Sequence, residues 1–200
     1  MIADPPETLP DILESAWQHL SRGAADRRSP LHTPAVISIG PDGTPDARIM
    51  VLRKAIRPSR RLSFHTDARS PKCQSLHGQP VAVLGYHPGQ KVQLRLQGTA
   101  RIETDTADAD AAWARSTPFA RRCYLTTHAP GTPLAAPASG LPAHIEGLQP
   151  SEDQLIPARP NFALLHIEVT RIDWLHLANT GHRRARFEAT DGWHGQWLTP

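Results

Sequence analysis

The sequence predicts a mainly β fold, a small barrel with peripheral helices. Three observations carry that prediction. Residues 92–103 alternate apolar and polar over twelve positions, which is the period of a strand with one buried face. Short strand-like runs bounded by turn residues lie before and after it. No strand–helix–strand unit repeats, so a doubly wound parallel sheet is disfavoured.

The elements follow in order. Residues 8–20 read as a helix: Thr8 stands at a cap, Asp11 at the matching capping-box position, and Leu9, Leu13, Trp17 and Leu20 share a stripe. Residues 22–33 are polar and read as a loop. Ala35–Ile39 and Ala47–Lys54 read as a hairpin about the turn Gly40-Pro41-Asp42-Gly43-Thr44. Leu62–Thr66 is a third strand. Ser70 and Pro71 then start a short helix running to about Leu76. Val81–Tyr86 is apolar almost throughout and reads as a central strand. Gly98, inside the alternating strand, marks a bulge or a close contact.

Asp105–Arg115 reads as a helix, and Ser116 and Pro118 break it from a shorter one ending near Tyr124. Residues 130–160 contain seven prolines and no period, as in a long loop. Phe162–Leu177 reads as a long strand whose apolar parity switches near Thr170. The segments 184–188 and 193–198 form a closing hairpin around Asp191-Gly192.

The 200 residues sit at the upper end of the single-domain range, and one domain over 1–200 is expected. Twenty prolines are about twice the usual share, and a proline-rich insertion over 130–160, with seven of them, is the plain explanation for much of the excess. The net charge of +3 is too small to imply nucleic acid, and the basic residues form short scattered clusters. Cys73 and Cys123 do not make a disulfide framework. Met1–Pro10 has neither a basic region nor an apolar run, which suggests a cytoplasmic start, and no apolar stretch is long enough to span a membrane.

Common catalytic signatures are missing: there is no G-x-G-x-x-G, phosphate loop, G-x-S-x-G or H-E-x-x-H. No histidine pairs with cysteine at metal spacing, so no metal site is expected. The polar residues on the early strands are more informative. Arg48 and Arg53 flank one strand. His65 and Thr66 close the next, followed by Arg69, Ser70 and Lys72. Hydroxyls and cations so placed suit a phosphate; ordinary solvation and a helix cap are the plain alternative.

These residues carry a resemblance. Arg48-Ile49-Met50-Val51-Leu52-Arg53 resembles the R-x-V-L-x-K/R strand of the pyridoxamine 5'-phosphate oxidase-like family of split β-barrels that bind flavin mononucleotide (FMN). Phe64 to Lys72 resembles the phosphate-contacting stretch that follows. Gln93, Trp174, Arg186 and the closing Trp197-Leu198-Thr199-Pro200 match further family positions, in order. The resemblance implies an FMN-binding split barrel with peripheral helices, working as a homodimer. Arg48, Arg53, Ser70 and Lys72 would bind the phosphate and nearby atoms, with Ile49, Met50, Val51 and Leu52 of the same strand against the cofactor. His65 and Thr66 would flank the ring or ribityl chain. Gln93 would hydrogen-bond the ring from one subunit, and Trp174 and Arg186 would close over it from the other.

The departures concern substrate. The family's vitamin B6 oxidases grip the substrate phosphate with a tyrosine, an arginine and a serine on the helical excursion. The corresponding stretch here is Trp113-Ala114-Arg115-Ser116-Thr117-Pro118-Phe119, with Trp113 at the tyrosine position and Thr117 at the arginine position. The C-terminal R-x-H is also lost; the chain has His182-Arg183-Arg184-Ala185-Arg186. This pattern is similar to the oxidase-related branch that binds FMN. It implies an FMN-dependent oxidoreductase passing hydride between a small, unidentified substrate and flavin N5. Three alternatives stay open: a flavin binder without efficient turnover, a true pyridoxamine/pyridoxine 5'-phosphate oxidase, and a haem-binding barrel with His65 as the axial candidate.

Overall fold

The computed structural model describes residues 6–200, so the reading of Met1–Pro10 falls partly outside the described residues. The chain forms two compact units. One comprises the chain up to Phe64, Gly78–Arg101 and His166–Pro200; the other comprises His65–His77 and Ile102–Leu165.

The first unit opens with α1, Leu9–Ala25. The Thr8 hydroxyl oxygen accepts the Asp11 N–H at 3.3 Å and the hydroxyl donates to the Asp11 carboxylate at 2.6 Å, so the cap forms as its spacing predicts. Ile12, Leu13, Ala16, Trp17 and Leu20 are buried. The helix outlasts its expected end at residue 20, and the 22–33 loop begins only after Ala25. Gly23 explains the extension: a Cβ there would lie 2.6 Å from the carbonyl oxygen of Leu31. The last turn thus packs against the 3₁₀ turn Pro30–His32, a contact that local polarity does not reveal.

The strands are β1 Ala35–Ile39, β2 Pro45–Ile49, β3 Leu52–Ile56, β4 Arg61–Asp67, β5 Pro80–His87, β6 Val92–Glu103, β7 Phe162–His176, β8 Arg183–Glu188 and β9 Gln196–Leu198. Their order is β2-β1-β5-β6-β7-β4-β3, with β8 on β7 and β9 on β8. The two ends of this path, β2 and β3, are neighbours in sequence and do not pair, so the sheet stays open. That corrects the single strand expected over 47–54. Ile49 pairs with Ala35 of β1, whereas Leu52 pairs with Phe64 of β4. The chain changes partner at Met50 and Val51, whose hinge is marked by the Met50 N–H bond to Pro34 O at 3.1 Å.

β6 matches its predicted range, and its even-numbered residues from Val92 to Ala100 are the buried ones. β5 lies between β1 and β6, as a central strand should. At Gly98 a Cβ would stand 2.2 Å from the Glu168 carbonyl oxygen; the glycine is required for backbone approach. The core of this unit contains Val36, Leu52, Leu62, Leu94, Ile172 and Phe187.

The second unit carries α2 Pro71–Leu76, α3 Ala107–Arg115, α4 Pro118–Arg121 and α5 Glu152–Leu155. Thr106 caps α3 by accepting the Ala109 N–H at 3.2 Å, which places its start two residues after the expected one. Ala109, Ala112, Tyr124, Ala158, Phe162 and Leu164 form its core. The 130–160 segment is irregular only in its first part. Ser151 and Gln154 form a reciprocal capping box, and 3₁₀ structure continues over Ile156–Asn161. Leu155 and Ala158 are buried there, so prolines and helical turns coexist. Among the described residues no helix is long and apolar enough to cross a membrane.

Candidate functional site

Within the first unit, Arg48 lies on the inner side of β2. Its guanidinium donates to Ser38 Oγ at 2.8 Å, reaches Val36 O at 3.4 Å and pairs with Asp46. Ile49 is 67% exposed, Met50 and Leu52 are buried, Val51 is half-buried and Arg53 is exposed. Across the change of partner strand, Met50 and Leu52 anchor the backbone in the core while Ile49 and Arg53 are presented. Gln93 is half-buried and stands opposite Tyr86 on β5.

Trp174 is only 1% exposed and stacks on His176, ring centroids 6.0 Å apart. Burial pushes the His176 pKa down, helped by the positive charges of Arg183 and Lys91, so a neutral imidazole backs the indole. Opposite this pair runs β8, with Arg186 in register with Asp173. Arg186 Nε lies 3.7 Å from Asp173 Oδ2 and is buried without a hydrogen-bond partner.

Asp173 organises this corner. It accepts from Arg184 Nε at 3.0 Å and Nη2 at 2.8 Å, and from Arg95 Nη2 at 3.0 Å. Burial acts to raise its pKa, but the bonds from Arg184 and Arg95 outweigh it and hold the carboxyl below its ordinary range. One carboxylate thus faces three guanidiniums. No sequence expectation attaches to Asp173; its only signal is an acid set between the apolar Ile172 and Trp174 of β7.

In the second unit, His65 lies edge-on to Phe162 at 4.9 Å. Thr66 is buried and its Oγ1 has no hydrogen-bond partner. Ser70 occupies the cap position of α2 but makes no side-chain cap bond. Its buried hydroxyl instead accepts from Lys72 Nζ at 3.1 Å. Arg69, the other cation of this stretch, is committed elsewhere: it forks onto Asp67 and donates to the carbonyl and hydroxyl of Thr126. Of the two cations read at this point of the sequence, Arg69 is paired with a carboxylate, whereas the Lys72 bond is to a neutral hydroxyl. An ammonium on a buried hydroxyl, and a buried threonine hydroxyl awaiting a partner, fit an anionic, oxygen-rich group such as a phosphate.

The helical excursion offers less. Trp113 packs with Phe162 and Tyr124 at 5.4 and 5.9 Å. Thr117 caps α4 by accepting the Ala120 N–H at 3.2 Å. The Arg121 guanidinium is buried and forks onto Glu152 at 2.9 and 2.6 Å. Arg122 donates to Leu148 O at 2.8 Å and lies over Phe119. Both arginines have structural partners.

Residues 14–104 match the family model described as pyridoxamine 5'-phosphate oxidase, FMN-binding domain. Pyridoxine/pyridoxamine 5'-phosphate oxidase 2 of Arabidopsis thaliana is 26% identical over 172 residues, covering 80% of this chain and 83% of that protein. The corresponding oxidase of Myxococcus xanthus is 26% identical over 211 residues, covering 98% and 92%. That of Azorhizobium caulinodans reaches 40% over 78 residues, but this covers only 38% of this chain and 35% of that protein. Two crystal structures share the fold. A pyridoxamine 5'-phosphate oxidase-related, FMN binding protein from Nostoc punctiforme superposes with a TM-score of 0.69 at 23% identity, covering 93% of this chain and 96% of its own. PhzG from Burkholderia lata does so with a TM-score of 0.67 at 19% identity, covering 98% and 95%. Their match to an open, mainly β sheet with peripheral helices bears out the split-barrel expectation. Residues 14–104 are thus similar to the FMN-binding domain of the pyridoxamine 5'-phosphate oxidase family, and the chain shares the fold of the two solved structures.

Proposed function

We propose that this protein is an FMN-dependent oxidoreductase that works as a homodimer on a small substrate other than the vitamin B6 phosphates. The observation that carries the cofactor assignment is the Lys72 ammonium on the buried Ser70 hydroxyl, with Thr66 Oγ1 orphaned in the same stretch. Lys72 and Ser70 bind the phosphate. His65 and Thr66 flank the cofactor. Gln93 hydrogen-bonds the ring from one protomer. Arg186 comes from the partner, its Nε within ion-pair distance of Asp173 but making no hydrogen bond. Trp174, being buried, supports that strand pair rather than offering a free face. FMN, when bound, supplies the hydride-accepting N5. The guanidinium of Arg186 stabilises the negative charge that builds on the ring edge during reduction.

An uncovered sheet face supports the dimer. Ile39, Ile49, Leu84 and Tyr86 are 38–67% exposed, and the registers of β2, β1, β5 and β6 put them on one face with Gln93. An apolar sheet face of this kind fits a second copy of the chain. Structural commitment of Arg121 and Arg122 favours, as a second reading, a flavin protein without efficient turnover.

The test is to purify the protein, record its absorbance spectrum and identify the released chromophore by mass. FMN, together with flavin reduction by at least one compound in a panel of reductants, supports the proposal. A haem spectrum, FAD, or no flavin after reconstitution overturns the cofactor assignment. FMN without reduction by any of the panel leaves the second reading standing.

A further inference from the structure

A cleft of about 480 Å³ opens in the first unit, and none of the residues assigned to flavin lines it. Its apolar walls are Leu13 and Trp17 of α1 and Pro58 of the β3–β4 turn. Arg57 and Arg60 of the same turn supply charge, and Trp193 reaches in from the β8–β9 connection beside Gly192.

Two independent features mark this cleft. The first is backbone strain. Among the described residues three non-glycine positions have positive φ: Arg60 at 52°, Lys91 at 54° and Trp193 at 66°. Two of the three line the cleft. Large side chains rarely adopt this conformation, and where they do, the surroundings hold them there, often at ligand sites. Both backbones are pinned. The Arg60 N–H bonds to Arg57 O at 2.9 Å while its carbonyl accepts from Val169 at 2.8 Å; the Trp193 N–H bonds to Glu188 O at 3.0 Å and Asp191 Oδ1 at 3.1 Å. A glycine would satisfy either turn without strain.

The second feature is the charge. Arg57 pairs with Glu14, and Arg60 with Glu168 at 3.1 Å. The four side chains are 38–61% exposed. Exposed pairs of this kind are weak and readily exchanged, so a ligand carboxylate can take the place of either glutamate. The partly exposed Trp193 indole offers a stacking surface for a flat ring, and a guanidinium forks onto a carboxylate.

We propose that this cleft is a second binding site, separate from the flavin site, for a planar aromatic carboxylate. The ring lies against Trp193, and the carboxylate pairs with Arg60 and Arg57. The site stands whether or not the flavin assignment holds.

Equilibrium dialysis of 2-naphthoate against the full chain, with FMN in excess, tests it. One naphthoate per protomer should bind with a dissociation constant below about 1 mM, more weakly at high salt, and about tenfold more tightly than neutral 2-naphthol. Arg60→Gly should weaken binding about tenfold or more while raising the melting temperature, because glycine relieves the left-handed backbone. Trp193→Gly should act in the same direction. Arg57→Gln, on the exposed rim, should weaken binding several-fold and leave FMN affinity unchanged. Naphthoate binding that is absent to 1 mM, unaltered in these variants, or won only by displacing FMN would overturn the proposal.

Discussion

The Arg184 guanidinium forks onto the Asp173 carboxylate, Nε to Oδ1 at 3.0 Å and Nη2 to Oδ2 at 2.8 Å. Arg95 shares the same carboxylate from β6, and Arg186 stands 3.7 Å from it. A single acid on β7 therefore sets the orientation of arginines from two neighbouring strands. Replacing Asp173 by Asn leaves three guanidiniums without their counter-charge. Loss of a fully buried partner costs roughly 3–5 kcal/mol. These arginines are 24–46% exposed, so a smaller loss of about 1–3 kcal/mol is expected. Urea unfolding measures it, and a midpoint equal to wild type would show that the cluster contributes nothing.

The same carboxylate predicts a pH dependence. Its folded-state pKa lies below the ordinary value, so its contribution is complete above the unfolded pKa of about 3.9. That contribution is lost as pH falls through the folded value. Between pH 5 and pH 3 the stability gap between wild type and Asp173→Asn should narrow. A gap that widens on acidification would contradict the assignment.

How much of this was legible in the sequence depends on how local each cause is. β6 shows itself fully, because each side chain from Val92 to Ile102 reports its face by its own polarity. The Thr8 cap is equally local. The break at Met50 and Val51 is not, since residues on either side remain strand-like and only the change of partner from β1 to β4 interrupts them. The helical turns after Ser151 are masked by Pro150, Pro157 and Pro160, although the Ser151–Gln154 capping box was there to be read. At the site, Lys72 and Thr66 lie in a recognisable stretch. The commitment of Arg69 to Asp67 and Thr126 depends on a residue 57 positions away, and the role of Asp173 depends on Arg95, 78 positions away.

Lys72→Ala should weaken FMN binding by roughly 1.5–3 kcal/mol, about ten- to a hundredfold, through loss of a charge-assisted contact. The fold should persist, because Lys72 is only half-buried and its partner Ser70 stays in place. Flavin fluorescence titration reads the affinity, and thermal unfolding of the apoprotein checks the fold. Equal affinity in the variant would remove Lys72 from the site.

The exposed sheet face should be sensitive to charge. Leu84→Arg with Tyr86→Asp places polar groups on a face that the proposed dimer buries, and the protein should become monomeric by light scattering. FMN affinity should fall with it, because Gln93 and Arg186 are assigned to one flavin from two protomers. Full FMN affinity in a monomeric variant would contradict that sharing.

Pyridoxamine and pyridoxine 5'-phosphates should be poor substrates. Thr117 caps a helix and brings no guanidinium, while Arg121 is held by Glu152 and Arg122 by Leu148 O. Peroxide release under oxygen should give kcat/KM below about 10⁴ M⁻¹s⁻¹, the low end of the ordinary enzyme range. Turnover above that would mean an arginine swings free to grip the phosphate.

The most direct test of the account is a calorimetric titration of apoprotein with FMN and, separately, with FAD. The account predicts saturation at one FMN per protomer, two per dimer, with FAD bound more weakly. FAD binding as tight as FMN, or no saturable FMN binding by a folded apoprotein, would contradict it.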